Sequence, residues 1–376
     1  MPITTEQLND ALETLAPTGH AESWDNVGTL IKGVRKKIER VMLTIDLTDP
    51  VLAEAVEARV DAIVAYHPPI FTPLERISGQ TPTERLVLGV IRAGLHVYSP
   101  HTALDAAPGG VNDWLADALD EGDRRALTPV VDESANDMCK IVTYCPPESA
   151  TTIRDGLAAV GAGTIGEYKR CSFESAGAGT FHASKSSNPA VGTTGRLERI
   201  SELRLEMVCP KHALAGAVRA MRSFHPYEEP PIDIYTLEPV PLREIGAGRR
   251  IMLDRAVSLR TIVEQIRSRT NVQRIKVARA HERPQKNRII GLCVGAGGSL
   301  LDSAIEQGCT VFITGEMRHH DILRAQASGC SVILAGHTNT ERGYLPVLGK
   351  RLRKLIGASA PQFMVSRKDR DPLRTP

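Results

Sequence analysis

VMLTIDLTDPVLAEAVEARVDAIVAYH at residues 41–67 and IIGLCVGAGGSLLDSAIEQGCTVFITGE at 289–316 decide the fold. In the first, an apolar β run at 41–45 precedes a helical stretch near 50–59 and a second run at 62–65. A helix near 83–93 and a third run at 96–98 follow. The second stretch repeats this: a run at 289–294, a helix near 300–307, a run at 310–313, a helix near 321–326 and a run at 331–335. Strands that alternate with helices at this spacing predict parallel pairing, because each return to the same sheet needs a crossover. The fold class is therefore α/β, with duplicated βαβαβ core halves.

The halves also agree in register. Asp46 to His67 spans 21 positions, as does Gly295 to Glu316; His67 to His101 then spans 34 against 21 from Glu316 to His337. The 13 extra residues fit the loop at 71–83, which carries two prolines and a glycine. The pattern predicts an internal duplication with one loop insertion.

Outside these halves the pattern changes. A strand at 140–146, a helix at 148–160, a Gly/Ser/Ala-rich stretch, a strand at 202–209, a helix at 211–224 and a strand at 232–237 follow the β-α-β-β-α-β order of an α+β ferredoxin-like module. Charged residues at 120–125 and a Pro/Gly-rich segment at 239–248 set boundaries near Pro129 and Gly248. The domain reading is a first core half at 1–128, an inserted domain at 129–248 and a second core half at 249–376.

Composition narrows the function. The 376 residues carry 46 basic and 44 acidic side chains, a net charge of +2, so no basic excess points to nucleic acid. The start, MPITTEQLNDALETL, is acidic and amphipathic behind a capping box from Thr4 to Gln7, which predicts a first helix rather than a targeting signal. The run at 289–301 is too short to span a membrane. Seven cysteines, an odd number without C-x-x-C, predict packing residues in a reducing cytoplasm and no thiolate zinc site.

Polar residues gather at the predicted carboxyl ends of the strands, where ligands meet open parallel sheets: Asp46, His67, His101, Glu316 and His337. His101-Thr-Ala-Leu-Asp105 and His337-Thr-Asn-Thr-Glu341 each place a carboxylate four positions after a histidine. On a helical turn such a pair shares one face, close enough to bind one cation or two adjacent ones. Either pair alone also reads as a capped helix or a surface ion pair. Two pairs at matching places in a duplicated unit, joined by His67, point to metal. Neutral imidazoles and carboxylates suit zinc, manganese, iron or cobalt, and a bridging carboxylate offsets the repulsion between two ions.

SWDNVGTLIKG (23–33), DAIVAYHPPIF (61–71), VYSPHTALDAAPGGVNDWLA (97–116), TGEMRHHD (314–321) and GHTNTERGYLP (336–346) resemble the Nif-three-like dinuclear metal-centre family, whose members are often labelled GTP cyclohydrolase I type 2 homologs. The likeness covers nearly the whole chain. It implies two divalent metal ions per subunit, with ligands at His67, His101, Asp105, His337 and Glu341, and a toroidal homohexamer. Many bacterial members have two consecutive histidines before the proline; here Tyr66 takes the first place, either as a phenol ligand or as a hydrogen-bond donor. The segments at 179–181, 187–206 and 225–235 resemble the inserted domain of the longer members, which is similar to PII and CutA-like modules.

Glu316, with His319 and His320 nearby, is the candidate catalytic carboxylate, its alternatives being an orienting or helix-start role. Asp46 reads as an orienting carboxylate or a turn cap. Gly295-Ala-Gly-Gly-Ser299 reads as an anion nest at a helix start, although Leu300 stands where a dinucleotide fingerprint wants its third glycine. His225-Pro-Tyr-Glu-Glu229 reads as a rigid turn or a second metal site, Trp24-Asp25-Asn26 as a cleft lining or an ordered loop, and the tail from Ser366 as a solvated end. Two functions follow as expectations. One is metal-dependent hydrolysis of a small nucleotide-like or phosphorylated substrate; the other is a metal-binding regulatory or scaffold protein that senses a metabolite through its insert.

Overall fold

The computed structural model describes residues 2–132, 137–282 and 284–373. The chain forms two compact units, Met1–Val130 with Leu242–Pro376, and Val131–Pro241. The larger unit begins with α1 (Thr5–Leu15), the short edge strand β1 (Gly28–Ile31), β2 (Arg40–Thr44), α2 (Asp49–Glu57), β3 (Ala62–Ala65), α3 (Pro82–Ala93), β4 (His96–Ser99), α4 (His101–Ala106), α5 (Val111–Ala116) and β5 (Gly122–Asp132).

The smaller unit contains β6 (Met138–Cys145), α6 (Ala150–Ala159), β7 (Phe173–His182), β8 (Leu197–Pro210), α7 (Leu214–Phe224) and β9 (Ile232–Thr236). Its sheet, in the order β7-β8-β6-β9, is antiparallel throughout. Ile141, Leu205 and Met207 on that sheet close a core with Ile153 and Leu157 of α6 and Met221 of α7. The Gly/Ser/Ala-rich stretch of the sequence contributes β7, whose small, exposed side chains hide its strand character.

The larger unit resumes in β10 (Val240–Val257), then α8 (Leu259–Thr270), β11 (Lys276–Ala278), β12 (Asn287–Ala296), α9 (Leu301–Glu306), β13 (Val311–Glu316), α10 (His319–Ala327), β14 (Ser331–Leu334), α11 (Leu345–Ile356) and β15 (Gln362–Val365). Pro129 and Gly248 both fall inside long strands, β5 and β10.

Two sheets form this unit, in the orders β1-β4-β3-β2-β15 and β11-β14-β13-β12-β10-β5. β2, β3 and β4 run parallel, and so do β12, β13 and β14. Each parallel trio is edged by an antiparallel strand from just before it in sequence, β1 on β4 and β11 on β14. The last strand of each half crosses over: β5 joins the second half's sheet, and β15 pairs with β2 in the first.

Strand alternation builds the layers. Val41, Leu43, Ile45 and Val64 share one core with Ile290, Leu292, Val294 and Ile313, together with residues of α1, α5, α8 and α11. The opposite faces carry Met42 and Ile63, under α2 and α3, and Phe312 and Val332, under α9 and α10. α1 is held by the capping box that its sequence predicts, with Leu8 and Leu12 buried. All seven cysteines are unpaired. Among the described residues, no helix is long and apolar enough to cross a membrane.

The C-terminal segment departs from a solvated end. Ser366 and Asp369 are buried: Asp369 accepts from the Ile45 amide at 2.7 Å and pairs with Arg342 at 2.7 Å, and Ser366 donates to Glu54 at 2.5 Å. These bonds tie the tail to the carboxyl end of β2, to α2 and to the segment before α11. Residues 374–376 lie outside the described part.

Candidate metal centre

Successive strand ends deliver the histidines. His67 follows β3, His101 follows β4 and His337 follows β14. The His67 ring lies 5.3 Å, centroid to centroid, from His101 and 5.4 Å from His337. Glu341 joins them from the turn after His337: its Oε2 is 3.5 Å from His67 Nε2 and its Oε1 3.3 Å from His337 Nε2. His67, His337 and Glu341 can each present a ligand atom within 4.8 Å of the others. His101 and Asp105 flank this triad. Asp105 accepts a 2.5 Å hydrogen bond from the Tyr66 hydroxyl, and the edge of the Tyr66 ring lies against His101 at 5.6 Å.

Each imidazole is oriented from behind by a carboxylate. His67 Nδ1 meets Asp46 at 2.9 Å, His337 Nδ1 meets Glu316 at 3.0 Å, and His101 Nδ1 meets Asp25 at 2.8 Å. A carboxylate on Nδ1 fixes the ring and leaves Nε2 turned toward the cavity, the usual arrangement behind metal-ligating histidines. Asp46 and Glu316 come from the ends of the strands preceding their histidines. Glu316, 56% exposed, sits behind His337, where orienting the ring is the role its contact supports. His319 and His320 open α10, exposed and meeting edge to face at 5.6 Å, and neither belongs to the triad.

Asp25, expected only as part of a cleft lining or an ordered loop, orients His101. Its carboxylate also accepts from the Thr102 amide at 3.1 Å and hydroxyl at 2.5 Å, pinning the start of α4. Its place follows from β1, because Gly28 pairs with Ser99 and so brings the loop before β1 beside His101. His101 itself has φ +23°, a strained value that the surrounding bonds impose.

Local electrostatics match an anion-rich cavity. Burial opposes protonation of His67, yet Asp46 and Glu341 outweigh it and raise its pKa to about 10. Burial, with Glu341 adding to it, pushes Asp105 up to about 6 against the pull of His101 and Tyr66. Burial and the Asp105 charge hold the Tyr66 phenol well above its ordinary value. Tyr66 is thus a hydrogen-bond donor to Asp105 here. Glu341 is 2% exposed and its Oε2 is a buried atom without a hydrogen-bond partner, an arrangement that a cation would satisfy.

The glycine motif at the end of β12 serves close approach and not an anion nest. A Cβ at Gly295, φ +62°, would come 2.6 Å from Glu341 Oε1 and 3.2 Å from His337 Nε2. The amides of Gly295 and Gly297 are already bonded to the Thr340 and Thr314 hydroxyls, both at 2.9 Å. In the smaller unit, both ring nitrogens of His225 are spent on backbone groups, Nε2 on Tyr144 O and Nδ1 on the Tyr227 amide, so that motif is a turn.

An α/β core of two related halves brings histidines and carboxylates from both into one cluster, the scaffold of a candidate metal centre. The chain belongs to the Duf34/NIF3 (NGG1p interacting factor 3) family, whose model matches residues 3–372. It is 35% identical over 336 residues to a GTP cyclohydrolase 1 type 2 homolog of Bacillus subtilis, covering 89% of this chain and 88% of that one. It is also 35% identical over 377 residues to NIF3-like protein 1 of Bos taurus, covering 97% and 91%. Among solved structures, a Bacillus cereus protein related to NIF3 superposes with a TM-score of 0.66 at 28% identity, over 100% of both chains.

Proposed function

We propose that this protein holds two divalent cations among His67, His101, Asp105, His337 and Glu341 and hydrolyses a small nucleotide-like or phosphorylated molecule. The observation that carries the reading is Glu341: a buried carboxylate with an unpartnered oxygen, faced by Nε2 atoms of two imidazoles whose other nitrogens are fixed. Zinc, iron, manganese and cobalt all suit this donor set. A divalent ion supplies Lewis acidity and makes hydroxide accessible near neutral pH.

The chain's own part is orientation and proton handling. Asp46, Asp25 and Glu316 fix the orientation of the imidazoles, and Tyr66 holds one oxygen of Asp105. Glu316, solvent-facing behind His337, is the candidate to pass a proton during hydrolysis. The name GTP cyclohydrolase 1 type 2 homolog, carried by relatives, fits a nucleotide substrate.

A second reading, metabolite sensing through a PII/CutA-like insert with structural metals, is favoured by a cavity of about 530 Å³ in the smaller unit, bounded by residues that include Phe181, Glu202 and Tyr227. Exposed Tyr168, Phe173 and Leu197 on that unit support assembly, for which we propose a homohexamer. Unpaired thiols throughout support a cytoplasmic setting.

Elemental analysis of wild type, H101A and H337A, followed by metal-dependent turnover on nucleotide, phosphoester and amide panels, tests the hydrolase. The expected result is metal lost in both variants and turnover in the wild type alone. Unchanged metal content in the variants removes the site. Tight binding of an unaltered metabolite without turnover favours the sensor.

A further inference from the structure

Two exposed aromatic rings stand beside the ligand cluster. Trp24 is 58% exposed and Phe71 53%, although their centroids are only 5.9 Å apart with the planes at 54°. Trp24 also meets the His101 imidazole edge-on, at 6.2 Å and 75°. The chain contains only one other tryptophan, Trp114, which is buried with Arg269 over its ring.

The exposed pair is held in place. Asn26 donates to the Ile70 carbonyl at 2.6 Å, tying the two loops together next to the rings. Asp25, adjacent to Trp24, carries the bond to His101. Movement of the indole is thereby linked to a candidate metal ligand. Phe71 lies on the segment between β3 and α3, whereas β13 and α10 are separated only by Met317 and Arg318. His67, the candidate ligand of this segment, precedes the stretch at 71–83 that has no counterpart in the second half, so the aromatic residue there needs another reason.

We propose that Trp24 and Phe71 form the platform on which a flat aromatic ring of the substrate lies while its reacting group reaches the cavity. The proposal rests on the hydrolase reading and names its substrate class, a molecule carrying a planar heteroaromatic ring. Aromatic side chains stack on such rings with little dependence on which ring it is, and preorganised rings lose little freedom on binding. Apolar surface exposed beside a polar cavity is where a ligand of mixed character would be held.

The test uses metal-loaded full-length protein, guanosine 5′-monophosphate as the ring-bearing probe and ribose 5-phosphate as the ring-free control, with calorimetry and tryptophan emission as readouts. The nucleotide is expected to quench wild-type emission and to bind W24A and F71A about tenfold more weakly or worse. W24F, which keeps a ring, should bind within about threefold of wild type. Ribose 5-phosphate should bind all variants alike, with metal stoichiometry unchanged. Nucleotide binding unaltered in W24A and F71A, no tighter than ribose 5-phosphate, or without change in emission overturns the platform. H337A separates the two readings: quenching that persists there while its metal content equals that of wild type upholds the platform and removes the metal site.

Discussion

In the first core half the chain leaves β3 at Ala65 and runs from Tyr66 to Thr81 before α3 begins; in the second it leaves β13 at Glu316 and enters α10 after Met317 and Arg318. The ligand machinery of the halves is alike in kind. His67 and His337 are each oriented by a carboxylate 21 residues earlier, at the end of the preceding strand. The surroundings differ. His101 with Asp105 after β4 and His337 with Glu341 after β14 stand at matching places, Glu341 touching both His337 and His67. The first half alone adds His67, at the strand end where the second has Glu316, together with Tyr66 on Asp105, Asp25 behind His101 and the aromatic loop. The shared His-x-x-x-carboxylate steps supply four of the five candidate ligands, and the first half alone adds His67 and the aromatic loop.

The largest effect is expected where both halves meet. Replacing Glu341 by Gln removes the charge facing His67 and His337, and H67A removes the first half's partner. Each should abolish metal binding as measured by elemental analysis, although the altered residues belong to different halves. Retention of full stoichiometry in one of them would mean that the halves bind separately. Next come two of the orienting carboxylates. D46N and E316Q should each weaken metal binding by roughly 10–100-fold in competition titrations with a chelating dye. Equal losses mean that both carboxylates support their histidines, while a loss confined to D46N would mark Glu316 as a surface contact.

Much of this was legible in the sequence, for a physical reason. Alternating apolar runs and crossover helices leave a strong periodic signal, and both βαβαβ units appear where period and breakers put them. Paired His-x-x-x-carboxylate steps pointed to His101, Asp105, His337 and Glu341 as candidate ligands, and His337 and Glu341 come together with His67. Asp25 was not legible, because it reaches His101 only through the pairing of Gly28 with Ser99, and a four-residue edge strand has too few residues for a period. β7 was hidden by its glycines and alanines, which form a strand by pairing with β8. The burial of Asp369 in a charged tail depends on Ile45 and Arg342, residues distant in sequence.

Smaller effects probe stability in each half. His96, at the start of β4, is buried, and its pKa falls to about 4, chiefly through burial and the nearby Lys32 against the pull of Glu6. Below its ordinary value of 6.5 the unfolded chain takes up a proton that the folded chain refuses. Stability should therefore fall as pH drops from about 6.5 to about 4, by at most about 3 kcal/mol. Chemical denaturation across that range should show a slope that H96N reduces; an unchanged slope would assign the loss elsewhere. Ser331, at the start of β14, has no such group. The smallest effect is at the helix caps. Thr4 closes a reciprocal box with Gln7, and Ser258 accepts only from the Thr261 amide at 3.1 Å among backbone donors. T4A and S258A should each cost about 1 kcal/mol in denaturant midpoint experiments, T4A the more.

Anomalous diffraction from crystals of the metal-loaded protein tests the central claim most directly. The account predicts one peak bounded by Nε2 of His67, Nε2 of His337 and the carboxylate of Glu341, with a second beside His101 and Asp105. A loaded protein whose ions lie elsewhere, with those imidazoles and carboxylates uncoordinated, would contradict it.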